Sequence, residues 1–547
     1  MNSPWCGRTI AGSIWSRFAS FPRRMSSPPT LDDTRFGGTY STRHRGHRRM
    51  RWIHEEGLRM LGALLAGAVL VFAFAPWQWS VLAPICLWSF LFLIRERSVG
   101  QAFRIGYGFG LGQFGLGISW VFVSIHEHGN AGLSLALLLT ALLIAFLASI
   151  PALVAAVTTA LAGARRARLL WVFPAVWIGG EWVRSWVFTG FPWLAVGYTQ
   201  SDGLLAGYAP LWGVLGLGAG IAWTAAAMEC LRTANGVRRV WIAATLLVVW
   251  IAGSGLRFVQ WTHPSGPPIP VALVQGNIPQ ENKWDARRAD EILDRYAQLT
   301  EPLLGTPLIV WPEAALPHVY HELAGTYLTR LQIAAAAAGS EILLGLLRFD
   351  PERRVYLNSA LLLGLDRQFY DKRHLVPFGE YFPVPAFIRH WMQVLDMPHS
   401  DLGAGPSHPD LIRFQELPLG VLICYEAVFG SEVIRDLPEA QLLVNVSNDA
   451  WFGRSFAPHQ HFQIARMRSL EAGRDLLRAT NTGITALVDA TGRVTAQLPS
   501  FEVGVLRGNV QPRLGATPYV RWGDWPVLAW LGASLVLATS LRLRETP

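Results

Sequence analysis

"GVLICYEAVFG", residues 420 to 430, begins as an apolar run of the kind that forms a buried strand, then stops on a cysteine with an acid two residues later. Cys424 is one of four cysteines in 547 residues, and the other three, Cys6, Cys86 and Cys230, all precede residue 231. It therefore has no disulfide partner in its own part of the chain, and the scatter of the four excludes a zinc-type pairing. A lone buried cysteine is ordinarily packing. Its surroundings decide whether this one is more.

Further runs of the same kind lie on either side. "IPVALVQGNI", "TPLIVWPEA", "EILLGLLRF", "SALLLGLD", "QLLVNVSND" and "ITALVDATG" read as strands, and "DEILDRYAQLT", "ELAGTYLTRLQIAAAAAG" and "HFQIARMRSLEAGRDL" as helices. Residues 258–522 thus form an α/β domain with mostly buried strands. Three strand ends in it carry reactive chemistry: Glu313 in "LIVWPEAALP", Lys372 in "FYDKRHLVPFGEYFP", and Cys424. Strand ends are where α/β folds place their sites. A carboxylate can take the thiol proton, and an ammonium can favour the thiolate or hold an oxyanion. The three residue types together suffice for acyl transfer through a thioester.

The rest of the chain is a different material. Half of the residues are hydrophobic (51%), only 16% are charged, and 24 are tryptophan, which calls for a large membrane portion. The net charge of +9 lies in arginine clusters between apolar stretches, which favours a membrane surface over nucleic acid. Apolar segments at 58–75, 79–94, 104–124, 131–161, 168–188, 204–230 and 239–257, with one more at "WPVLAWLGASLVLATSLRL", give about eight expected spans. "RERSVGQAFR", "GARRARL" and "RTANGVRR" alternate with linkers free of Lys and Arg. The positive-inside rule then puts the α/β domain on the outer face. The expected division is a basic, disordered cytoplasmic tail over 1–57, seven spans over 58–257, the outer domain over 258–522 and a last span over 523–547. Met25 and Met50 are alternative starts within the tail. The glycines of "GYGFGLGQFGLG", residues 106 to 117, follow no strand and sit inside an apolar segment, so they read as close helix packing and not as a phosphate loop.

Taken in order, "QGNIPQENKW", "WPEAALP", "DKRHLVPFGEYFP", "CYEAVF", "SNDAWFG" and "RATNTGITALVDATGRV" resemble the apolipoprotein N-acyltransferase family, the membrane-embedded branch of the nitrilase superfamily. So do "GFGLGQFGLGISWVFVSIHEHG" and "EWVRSWVFTGFPWLAVGYTQSDGLLAGYAPLWGVLGLG" in the apolar half, and the resemblance covers roughly residues 58 to 545. It implies an αββα sandwich on a transmembrane bundle, in a bacterial inner membrane with the catalytic domain in the periplasm. It implies Glu313 as general base, Lys372 as the oxyanion-stabilising cation and Cys424 as the acylated nucleophile. Glu380, Tyr425 and Glu426 match supporting positions, and Trp284 matches a substrate-binding tryptophan at the site entrance. No cofactor or metal is implied. The acyl donor would be a phospholipid, phosphatidylethanolamine by resemblance, and the acceptor the α-amino group of a diacylated lipoprotein.

Plainer roles stand beside these. "WPE" by itself is a turn with a solvated glutamate, Lys372 can pair with Asp371 on a surface, and Glu426 can simply hold its loop. Trp284 can be core or an interfacial anchor. His374, His459 and His461, lacking an evident acidic or cysteine set, read as polar surface or supporting residues. "FGEYFPVPAFIRHWMQVLDM" is apolar enough to be an arm dipping into the interface. The same triad also serves a membrane-anchored amidase. An inactive outer domain on a transporter would instead need charges lining the spans, where only Glu181, Arg184 and Glu229 stand out, near segment ends.

Overall fold

The computed structural model of the protein describes residues 40–129, 131–163, 166–381 and 402–543. Most of the expected tail (1–39) and most of the expected arm (382–397) lie outside the described residues. Residues 1–54 form one unit and residues 55–547 a second. The expected tail ran to residue 57, but the helix that carries the first apolar segment already begins at Tyr40 (Tyr40–Leu70). No proline interrupts it, so the helix extends through the basic run Arg43–Arg51.

Among the described residues, five helices are long and apolar enough to cross a membrane: Glu55–Ala73, Leu133–Ala162, Ala206–Leu231, Gly236–Leu256 and Trp525–Arg542. A sixth arises if Val99–Gly117 and Trp120–His128 are counted together across a 50° bend. The segments expected at 79–94 and 168–188 contain shorter helices, Leu82–Ile94 of 13 residues and Leu169–Arg184 of 16. Each falls below the roughly 20 residues of a straight crossing. The second stops because Arg184 donates to the carbonyls of Phe191 (2.6 Å) and Trp193, folding the following residues back on the helix end. The glycine stretch packs helices, as its sequence suggested. A Cβ at Gly106 would lie 2.6 Å from the Pro151 carbonyl oxygen, and one at Gly110 would lie 2.6 Å from Ala148 Cα.

The α/β domain is built on two sheets. One has the order Gly504–Val510, Ile269–Gln275, Leu308–Val310, Glu341–Asp350, Val355–Leu363, Arg367–Asp371. The other runs Val494–Gln497, Ala486–Val488, Leu476–Thr480, Leu442–Ser447, Leu417–Ile423, Ile412–Phe414. Alternation along each strand sorts side chains between two layers. Val271, Leu273, Val310 and Leu362 share a core with Val421, Ile423, Val444 and Ala479 of the facing sheet. Ala272, Val274 and Ile309 point the other way, onto Ile292, Tyr296 and Leu328 of the helices Ala289–Thr300 and Tyr327–Ala337. Leu422 and Leu443 likewise pack on Phe462 and Ala465 of the helix Ala457–Ala472. The result is helix, sheet, sheet, helix.

This sandwich is packed into the apolar helices, not merely tethered to them. Tyr425, Val428, Phe429, Ile464 and Met467 belong to the same buried cluster as Phe109, Phe114, Trp177 and Trp193. Hydrogen bonds fix the seam: Trp193 Nε1 donates to Gln460 Oε1 (2.6 Å), the Val214 amide to Glu471 Oε1 (2.7 Å), and Arg466 to Asp202 (2.6 Å).

Candidate active site

Cys424 is the first residue after the strand Leu417–Ile423, where the chain turns at once into a short helix, Cys424–Val428. Its φ of +51° is in the left-handed region, which costs a non-glycine residue about 1 kcal/mol or more and persists only where the surroundings impose it. Glu426 does much of the imposing. Its carboxylate accepts from the amides of Ile423 (2.7 Å), Arg373 (2.6 Å) and His374 (3.2 Å) and from the Tyr370 hydroxyl (3.0 Å). Glu426 thereby ties the turn after Cys424 to the loop after Lys372. Those bonds fit the loop-holding role that the sequence left open beside a direct one.

Lys372 follows the strand Arg367–Asp371, and Glu313 comes three residues after Leu308–Val310. The fold brings them together: Lys372 Nζ lies 3.3 Å from Glu313 Oε1 and 2.8 Å from Glu380 Oε1. Asn358 Nδ2 bridges the same two oxygens at 2.8 and 3.0 Å, and the Asn448 amide donates to Glu313 Oε2 at 2.8 Å. Asp371 is taken up elsewhere, by Arg348 and by Ser359 Oγ (2.6 Å), so Lys372 is not part of a surface pair. Lys372 is 1% exposed.

The charges follow from these contacts. Burial raises the Glu313 carboxyl, but Lys372 and the Asn358 hydrogen bond outweigh it, and Glu313 stays ionised. Burial opposes the Lys372 charge, yet Glu380 and Glu313 carry it well above the ordinary lysine value. The Cys424 thiol is pushed up, first by burial and then by the Glu313 charge, against the pull of Lys372. At rest the site therefore holds a neutral thiol beside an ionised carboxylate. A carboxylate so placed is able to take a thiol proton.

Tyr425 leads away from the chemistry: its hydroxyl donates to the Gly190 carbonyl (2.9 Å) in the apolar half. Trp284 is half-buried and lines a cavity of about 310 Å³ with Glu313, Glu380 and Asn358. Glu127 and His128 from the apolar half also line it. Cys424 and Lys372 do not contribute to the lining, and Glu313 and Glu380 join Lys372 to the cavity.

His459 is exposed, as expected, and His374 is held by Glu432 (2.8 Å). For His461 the surface alternative fails and the supporting one fits: it is fully buried, and it has the acidic partner that the sequence did not show. Its Nδ1 lies 2.9 Å from Asp449 Oδ1, and its Nε2 donates to the Cys424 carbonyl at 3.2 Å, which helps hold the strained turn. Asp449 sits at the end of a different strand, Leu442–Ser447, so only the packing of helix Ala457–Ala472 onto that sheet unites them. Cys424, Asp449 and His461 offer ligand atoms within 4.8 Å of one another. Arg478 and Ser447 already occupy the Asp449 oxygens, each at 2.9 Å, so a cation there would have to displace an arginine. Sequence reasoning also passed over Asn358, Asn448 and Lys283. The last is one residue before Trp284 in "QENKW", and that adjacency was the available signal.

Residues 66–227 match the family described as the apolipoprotein N-acyltransferase N-terminal domain, and residues 270–519 match carbon-nitrogen hydrolase. Over 489 residues the chain is 44% identical to an apolipoprotein N-acyltransferase of Methylococcus capsulatus, covering 89% of this chain and 97% of that one. It is 41% identical over 491 residues to that of Nitrosomonas europaea (88% and 97% covered) and 40% over 487 residues to that of Pseudomonas syringae pv. tomato (87% and 96%).

Proposed function

The chain belongs to the apolipoprotein N-acyltransferase family and N-acylates lipoproteins at a membrane, and from that premise we propose that the acyl group travels through a thioester on Cys424. The observation that carries this reading is the junction of strand ends, where an ionised Glu313, a charged Lys372 and a neutral, strained Cys424 meet.

Glu313 takes the thiol proton as Sγ attacks the ester carbonyl of a phospholipid. Lys372 offsets the negative charge of the tetrahedral oxygen. Collapse breaks the C–O bond, and the lysophospholipid leaves with the proton from Glu313. The α-amino group of a diacylated lipoprotein then attacks the thioester carbonyl, and Glu313 accepts the amine proton. The C–S bond breaks, the thiolate regains that proton, and the amide product departs. Phosphatidylethanolamine is the proposed donor, and Trp284 at the cavity is proposed to contact substrate.

The same reading keeps about eight crossing segments, some shorter than a straight span, and an α/β domain over 258–522 on the periplasmic face of the inner membrane. The arginine-rich linkers support that orientation. The test is intact mass spectrometry of the purified protein with phospholipid and no acceptor, beside Cys424→Ala. Wild type alone should gain one acyl chain and lose it to a diacylated lipopeptide. An adduct that water removes as fast would replace transfer by amidase-type hydrolysis.

A further inference from the structure

The cavity beside Glu313 is rich in carboxylates: Glu127, Glu281, Glu313 and Glu380 all line it. Lys372 does not reach the lining, and its ammonium is already shared between Glu313 and Glu380 at 3.3 and 2.8 Å. Among the described residues, Lys283 is the one lysine or arginine that lines the cavity. It is 2% exposed, and its Nζ donates to a single neutral partner, the main-chain carbonyl of Glu313 at 3.2 Å. An ammonium carries three donors. Two of them therefore have no acceptor among the described residues.

Burying a cation with one neutral partner is costly, and a protein retains it where a ligand completes the site. Burial pushes Lys283 down to about 8, with Glu313 and Cys424 opposing, so it is charged at neutral pH. A phospholipid donor brings the complementary group: a phosphodiester anion a few bonds from the ester to be cleaved. Moving that anion past four carboxylates requires a cation, and a lysine is suited to phosphate as a compact point charge.

We propose that Lys283 is a specificity-determining residue that receives the phosphodiester anion of the acyl donor on its two unengaged N–H groups. This rests on the acyl-transfer reading above. It assigns the two lysines different tasks: Lys372 serves the reacting carbonyl, and Lys283 selects a donor with a phosphate at the right distance from it.

The test compares acylation of Cys424 by phosphatidylethanolamine and by p-nitrophenyl palmitate, which carries no phosphate, in wild type, Lys283→Met and Lys283→Arg. Rates are read by intact mass. The ratio of phospholipid to neutral-ester acylation should fall at least ten-fold in Lys283→Met and stay within about three-fold of wild type in Lys283→Arg. An equal loss with both donors in Lys283→Met overturns the proposal, because it would show that Lys283 serves the reacting carbonyl or the fold. A wild type that takes up no acyl chain from either donor refutes the transfer reading itself, and this proposal with it.

Discussion

Replacing Glu380 by glutamine tests whether this residue positions Lys372 or does chemistry itself. The carboxylate accepts three hydrogen bonds: Lys372 Nζ at 2.8 Å and Asn358 Nδ2 at 3.0 Å on Oε1, and the Val376 amide at 2.8 Å on Oε2. Glutamine keeps one oxygen, which the lysine and Asn358 would hold, and turns its NH₂ toward the Val376 N–H. That orphaned amide costs about 1–3 kcal/mol, which acts mainly on the fold. Exchanging a charged for a neutral acceptor on Lys372 costs about 1–2 kcal/mol more, because a charge-assisted bond is roughly twice as strong as a neutral one. Only this second part bears on the reacting carbonyl. At 1.36 kcal/mol per ten-fold, it slows Cys424 acylation by about 5- to 30-fold. Glu380→Ala, which also strands Asn358, should slow it by more than about 100-fold. Single-turnover acyl-enzyme formation gives the rate, and thermal unfolding gives the stability. A Glu380→Gln protein within two-fold of wild type refutes the positioning argument. A loss as complete as that of Cys424→Ala shows instead that Glu380 itself moves a proton.

Three shorter predictions follow from other contacts. Glu426→Gln leaves one backbone donor facing an NH₂ group and should lower stability by about 2 kcal/mol together with the acylation rate; an inactive protein of unchanged stability would point to a chemical role for Glu426. Tyr425→Phe removes only the 2.9 Å bond to the Gly190 carbonyl, so stability should drop by about 1 kcal/mol, read by unfolding, while acylation stays within about five-fold. Burial raises the Glu471 carboxyl to about 7 from the ordinary 4.5, so the stability it contributes is fully present below about pH 4.5 and is lost progressively as pH rises from there to about 7. The melting temperature of wild type should therefore fall between pH 4.5 and pH 7, by up to about 3 kcal/mol in stability, and level off above pH 7, and Glu471→Gln should flatten that change.

Much of this protein is written in its sequence, because the relevant signals are local. Runs such as Leu133–Ala162 are apolar along their whole length, and a bilayer demands nothing else of them. Strands such as Leu417–Ile423 are short and continuous, and their ends carry Glu313, Lys372 and Cys424. A reactive residue at a strand end can be read without knowing what lies across from it.

What tertiary structure alone decided depends on partners distant in the chain. Glu426 accepts hydrogen bonds from the amides of Arg373 and His374, 53 and 52 residues earlier, a connection that residue order does not show. His461 is buried against Asp449 because a helix lies over a sheet, and Tyr425 reaches a carbonyl 235 residues away. Whether Leu169–Arg184 continues as a straight span is set by an arginine that prefers two carbonyls of the following loop to the end of its own helix. Lys283 is the sharpest case. In sequence it is one lysine in a polar loop. Only the fold removes its water, surrounds it with carboxylates and leaves two of its protons without an acceptor among the described residues, because desolvation and hydrogen-bond satisfaction are properties of a packed interior and not of residue order.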